Sequence, residues 1–145
     1  MLLTVGDLMS RDVVTLDESD GLLRGDDLLK LNHIRHLPVV RDGQLVGLVS
    51  HRDLIRALAR RAANPTGPIL GVADIMTREL DTVREDLPVR DAIHHLLDER
   101  FGCLLVVDES GQLVGIVTES DFMRLAARLL DREAHSSAGA SPPMH

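Results

Sequence analysis

An α+β fold made from two copies of one β-α-β-β-α unit follows from three features of this sequence. Gly47 to Asp53, GLVSHRD, recurs at Gly115 to Asp121 as GIVTESD. Matching lead-ins precede the two copies, PVVRDGQLV and LVVDESGQLV, so the similarity is a repeat rather than a chance motif. Aligned halves place Asp7 on Asp74, 67 residues apart, and Asp53 on Asp121, 68 apart. The added residue falls where Asp42-Gly43 becomes Glu109-Ser110-Gly111, a hairpin turn that tolerates insertion.

Each element has its own local justification. Thr4 can cap a helical turn through Met9, and Val13-Val14-Thr15 reads as a brief strand. Ser19 opens a helical stretch to about Asn32, with Gly21 and Gly25 each costing about 1 kcal/mol relative to Ala and predicting fraying or a late start. His36 to Val40 is a strand whose Pro38 must lie where no donor is needed. Asp42-Gly43 signals a tight hairpin back into Gln44 to Val49, and Ser50 caps a helix to about Ala62. Asn64-Pro65-Thr66-Gly67-Pro68 breaks the helix and links the copies.

The second half repeats the order. Val72 to Met76 forms the turn, Leu80 to Val83 the brief strand, and Pro88 sits in the first turn of a helix to about Arg100. Cys103 to Val107 and Gln112 to Val117 form a hairpin. A last helix starts at Glu119, capped by Thr118, and its apolar residues run to Leu130. The organisation expected is repeat 1 at 4–62, a linker at 63–70, repeat 2 at 71–131 and a disordered tail at 132–145, small, polar and Pro-rich from His135 on. One three-stranded sheet with two helices is too small to stand alone. Two sheets packed together about a pseudo-two-fold axis would bury both apolar faces.

Composition narrows the function. The chain has 145 residues, 44% hydrophobic and 27% charged, which excludes a disordered polypeptide. No apolar run approaches the roughly 20 residues of a membrane-spanning helix, and MLLTVGDLMSRD lacks the features of a secretory leader, so the expected location is cytoplasmic and no membrane partner is expected. The net charge of −7 argues against a nucleic-acid partner. A lone Cys103, within CLLVV, reads as a buried thiol. With Phe101 and Phe122 as the only aromatics, a base would rest on aliphatic walls and backbone groups.

The Asp7-Leu8-Met9 and Asp74-Ile75-Met76 openings, Val14-Thr15 and Thr82-Val83, the IRHLPVV segment (Ile34 to Val40) and the two glycine-to-Asp segments together resemble the cystathionine-beta-synthase (CBS) domain. Two in tandem look like the CBS pair called a Bateman module, over about residues 4 to 131. The resemblance implies two ligand clefts between the repeats, open in many members to adenosine compounds such as AMP, ADP, ATP, NAD(H) or S-adenosylmethionine. It also implies a flat, four-repeat homodimer. Other members bind no known ligand and serve in assembly, with vestigial clefts.

The residues support a ligand role independently. Ser50 and Thr118 stand where a strand gives way to a helix, so their hydroxyls and the free backbone donors can meet a phosphate. Asp53 and Asp121, three residues on, return to nearly the same side of the helix and could accept both hydroxyls of a ribose. The same Ser/Thr-x-x-Asp pattern also serves as a plain helix cap. Arg35 and His36, just before Pro38, match positions where relatives place phosphate-binding basic residues; their counterparts are Gly102 and Cys103. With His51 and Arg52 set against Glu119 and Ser120, the first copy is cationic around Ser50 and Asp53, which suggests unequal sites: one phosphate-bearing ligand, or two whose phosphates converge on those cations, with Asp53 mattering more than Asp121 if the first copy holds the better site.

The candidate ligand-binding set is thus Val14, Thr15, Arg35, His36, Pro38, Ser50, Arg52, Asp53, Thr82, Thr118 and Asp121. The His33/His36 and His94-His95 pairs lack zinc spacing, so no metal is expected. No nucleophile–base–orienter set appears. The expected function is a regulatory, non-catalytic nucleotide-binding module acting on an unidentified effector, with a structural dimerisation or docking module as the competing class.

Overall fold

Two three-stranded sheets form the centre of the protein in a computed structural model that describes residues 3–98 and 102–137. In the first half, α1 (Val5–Leu8) leads to β1 (Leu16–Asp17), α2 (Leu22–Asn32), β2 (His36–Arg41), β3 (Gln44–Ser50) and α3 (His51–Ala63). The second half runs α4 (Val72–Ile75), β4 (Thr82–Val83), α5 (Val89–Asp98), β5 (Cys103–Val107), β6 (Leu113–Thr118) and α6 (Glu119–Ser137). The sheets are ordered β1-β2-β3 and β4-β5-β6, each with one parallel and one antiparallel pairing. This is the α+β tandem architecture that the repeat implied.

Side-chain alternation along the strands explains why neither sheet stands alone. Leu37, Val39 and Val49 face α2 and α3 in one apolar cluster, and Leu104, Val106 and Val117 occupy the equivalent cluster of the second half. The opposite faces contribute Leu48, Cys103 and Leu105 to a third cluster, flanked by Leu45, Leu80, Leu113 and Ile116, which joins the sheets. Cys103 is a buried thiol, as its apolar neighbours suggested.

The short helical turns are exchanged between the halves. Val5 of α1 donates its N–H to the Leu87 carbonyl at 2.8 Å, Gly6 to that of Glu85 at 2.9 Å, and Val5 and Met9 lie in the core of the second half. Reciprocally, Val72 of α4 bonds the Asp20 carbonyl at 2.9 Å, and Val72 and Met76 lie in the core of the first. Paired bridges repeat the symmetry: Ser10 with Ile116 and Leu48 with Thr77, Thr4 with Pro88 and Gly21 with Gly71, and Gln44 with Gln112 near the axis. Each half is closed by a turn from the other.

This exchange accounts for the signature glycines. A Cβ on Gly47 would meet the side chain of Met76, with Cγ at 2.7 Å, and one on Gly115 would meet Met9, with Cγ at 2.9 Å. The methionine of each Asp-x-Met opening therefore fits over the glycine of the other half's signature.

Several local expectations are corrected. Val13-Val14-Thr15 is not a strand: Ser10 is bonded both ways to Ile116 of the second sheet, so residues 11–15 cross between sheets and pairing with β2 begins only at Leu16. Leu80 and Asp81 likewise precede β4. Ser19 lies in a turn held by Asp17, and α2 begins at Leu22 after Gly21, the late start that its glycines predicted. Gly25 lets α2 approach α3 closely, since a Cβ there would lie 3.0 Å from a Leu54 methyl. Pro88 immediately precedes α5. Helix α6 runs on to Ser137, beyond the end expected at residue 131, because Arg132, Glu133 and Ala134 are adequate helix formers and no Pro intervenes. The remaining tail, 138–145, and the end of α5 near Arg100 lie outside the described residues.

Pro38 occupies the central strand of its sheet without breaking the ladder. Its antiparallel neighbour Leu48 exchanges both backbone bonds with Thr77, at 3.0 and 2.9 Å, so the Pro38–Leu48 pair requires no donor from proline.

Candidate functional site

The exchanged turns and the sheet contact leave a cleft of about 830 Å³ between the halves, within the size range of small-molecule pockets. One wall comes from the first half: Val13 and Val14 on the crossing segment, Ile34, Arg35, His36 and Pro38 at the start of β2, and Arg52 at the start of α3. The other wall is Ile116 and Thr118 of β6, then Glu119, Ser120, Asp121 and Arg124 on the first turns of α6. Ser10, Asp12, His33 and Gly102 complete the rim.

Local structure fixes the polar groups. Thr118 ends β6, so the first amides of α6 have no intrahelical acceptor and lie at the cleft wall. Asp121 Oδ2 accepts from the Thr118 N–H at 2.8 Å and its hydroxyl at 3.3 Å, while Oδ1 accepts from Arg124 at 2.7 Å. In the first half the cap is reciprocal: Asp53 Oδ2 accepts from the Ser50 N–H at 2.9 Å, and Ser50 Oγ accepts from the Asp53 N–H at 3.1 Å. The cap is thus reciprocal at the start of α3, while at the start of α6 it runs through the Asp121 carboxylate alone. It occupies one oxygen of each carboxylate and leaves the other for a second partner.

Of the expected ligand residues, Val14, Arg35, His36, Pro38, Arg52, Thr118 and Asp121 line this one cleft; Thr15, Ser50, Asp53 and Thr82 do not. Arg35 and His36 remain beside Ser50 in the first sheet, His36 in register with Ser50 and the His51 N–H donating to the Arg35 carbonyl at 2.8 Å, and they also line a cleft that the second half completes. Cations of the first half face the hydroxyl and carboxylate of the second. The cause is the two-fold arrangement, which brings the start of β2 opposite the β6–α6 junction. Sequence reasoning passed over Ser10, His33 and Arg124; Arg124 was legible as the residue three beyond Asp121, on the same side of the helix.

The other histidine pair, His94-His95, lies on α5, where His95 Nδ1 is 3.2 Å from Asp81 Oδ2. No group of three or more metal-ligating side chains is assembled among the described residues. No helix among them is long and apolar enough to cross a membrane.

The sequence profile of the CBS domain matches residues 5–60 and again 72–128. The chain is 32% identical over 127 residues to a homoserine O-acetyltransferase of Methanohalophilus mahii, covering 87% of this chain but 25% of that enzyme. The chain thus spans about a quarter of that relative, whose name describes a much longer protein. Among solved structures, CBSX2 of Arabidopsis thaliana in complex with AMP aligns with a TM-score of 0.76 at 32% identity, covering 88% of this chain and 98% of that one. The CBS domain pair of the protein MJ0100, in complex with 5′-methylthioadenosine and S-adenosyl-L-methionine, aligns with a TM-score of 0.77 at 30% identity, covering 88% and 98%.

Proposed function

The chain belongs to the CBS-domain family, as two tandem copies, and from that premise we propose that it is a regulatory module binding an adenosine nucleotide in the cleft between its halves. The observation that carries this reading is the convergence of Arg35, His36 and Arg52 with Thr118 and Asp121 around one cavity. In this reading Asp121 accepts ribose hydroxyls, the cations of the first half hold phosphate, and Val14, Ile34 and Ile116 flank a base in place of aromatic platforms. The CBSX2–AMP and MJ0100 complexes support adenosine compounds as the ligand class.

The module has no chemistry of its own in this reading. It acts in the cytoplasm by changing shape or stability on binding, and conveys that change to an effector protein. It works as a homodimer through α3 and α6. ATP, ADP, AMP and NAD(H) are favoured over S-adenosylmethionine because the cations suit phosphate.

Thermal shift tests it directly. Ligand at 100 times its dissociation constant stabilises a fold by about 2.7 kcal/mol, which raises the melting temperature by several degrees. AMP, ADP, ATP, NADH and S-adenosylmethionine all leaving the melting temperature unchanged at millimolar concentration would make a structural dimerisation or docking module the better reading.

A further inference from the structure

Both oxygens of Asp121 are engaged by groups of the chain itself. Oδ2 belongs to the cap, donated to by Thr118, and Oδ1 is held by Arg124 at 2.7 Å. The two arrangements differ in how firmly they are held. The cap is part of the helix start, whereas the Arg124 side chain is 67% exposed against 14% for Asp121. An exposed ion pair three residues apart contributes little and is the partner that can leave.

We propose that Arg124 is a selectivity residue of the cleft. It holds Asp121 Oδ1 and, when a ribose takes that oxygen, transfers its guanidinium to the ligand's phosphate. This rests on the reading of the cleft as a nucleotide site and goes beyond it by naming what the ligand must carry. A ribose hydroxyl donating to Oδ1 displaces Arg124, which still lines the same wall. A phosphate restores a charged partner with bidentate geometry that suits guanidinium. A nucleoside, or an adenosyl compound with a sulfonium or thioether in place of phosphate, displaces Arg124 and offers no comparable anion. The cleft therefore discriminates for phosphate through one exchange of partners. The first half has no such device in this cleft, since Arg56, the counterpart of Arg124, is not among its lining residues.

The test compares affinities for AMP, ATP and adenosine in the full chain, by calorimetric titration, for the wild type and for Arg124→Ala, Arg124→Lys and Arg56→Ala. The wild type should bind the nucleotides at least tenfold more tightly than adenosine. Arg124→Ala should weaken nucleotide binding about tenfold while leaving adenosine unchanged or tighter, with a circular-dichroism melting curve close to the wild type. Arg124→Lys, which keeps the charge and loses the planar fork, should fall between, and Arg56→Ala should behave as wild type. Equal loss for nucleotide and nucleoside would make Arg124 a structural residue and overturn the exchange. An unchanged preference in Arg124→Ala would also overturn it, while nucleotide binding itself left the site reading intact. A wild type that binds none of the three overturns both.

Discussion

At Asp53 and Asp121, one residue type does two jobs. Both carboxylates close a helix start, yet only Asp121 also lines the cleft that holds the first half's cations. Asp121→Asn keeps an acceptor for the Thr118 N–H, so apo stability should fall by only about 0.2–1 kcal/mol, the range of an exposed ion pair. Nucleotide affinity, which depends on charge-assisted bonds to ribose, should fall about 10- to 100-fold. Asp53→Asn should affect binding much less, the reverse of the order expected from sequence. Titration calorimetry on the two variants decides this, and equal losses would mean that a second site lies at Ser50 and Asp53.

Asp108 belongs to the same scale. Its carboxylate is held below the ordinary range chiefly by the Ser110 hydroxyl at 2.8 Å, then by the Gln112 amide at 3.0 Å, with the Ser110 amide adding to the effect. A carboxylate more acidic in the folded chain than in the unfolded one stabilises the fold above its unfolded value, near pH 4. That contribution is lost as the pH falls through the lower folded value. Asp108→Asn should therefore lower the melting temperature at pH 7, and the difference from wild type should close as melting curves are taken toward pH 2.

Between elements, each exchanged turn fits tightly against the opposite hairpin. Gly115→Ala puts a methyl into Met9, which lies in the second core and is 8% exposed. Overpacking of this kind costs about 1–3 kcal/mol. Met9→Ala alone leaves a cavity and costs about 2–5 kcal/mol. The double variant should lose less than the sum of the two, by at least about 0.5 kcal/mol, because each change relieves the other. Urea denaturation of all four proteins measures the coupling, and strict additivity would show that the glycine and methionine do not share that space.

Over the whole molecule, apolar side chains that the two sheets cannot absorb remain on the helices. Ile55 on α3 and Met123 and Leu130 on α6 are exposed, with Met123 at 71%. The homodimer proposed through these helices would cover them. Wild type should elute and scatter light as a dimer at tens of micromolar. Met123→Asp combined with Leu130→Asp should halve the measured mass without changing the far-ultraviolet spectrum. A wild-type monomer at that concentration would sink the dimer.

By itself the sequence determined the repeat, the element order of each unit, the Asp42-Gly43 hairpin and the Ser50 cap of α3. These depend on contacts between residues near in the chain, where alternation, capping residues and turn chemistry leave direct marks. Asp42 and Gly43 do adopt the left-handed conformations that such a turn needs, with φ of 52° and 81°. Only the tertiary structure decided that α1 closes the second half and α4 the first, that residues 11–15 cross between sheets instead of forming a strand, and that Arg35, His36 and Arg52 share a cleft with Asp121. Those outcomes depend on how two nearly identical surfaces meet. A two-fold relation between copies pairs residues from opposite halves, and spacing along one chain carries no record of which copy faces which.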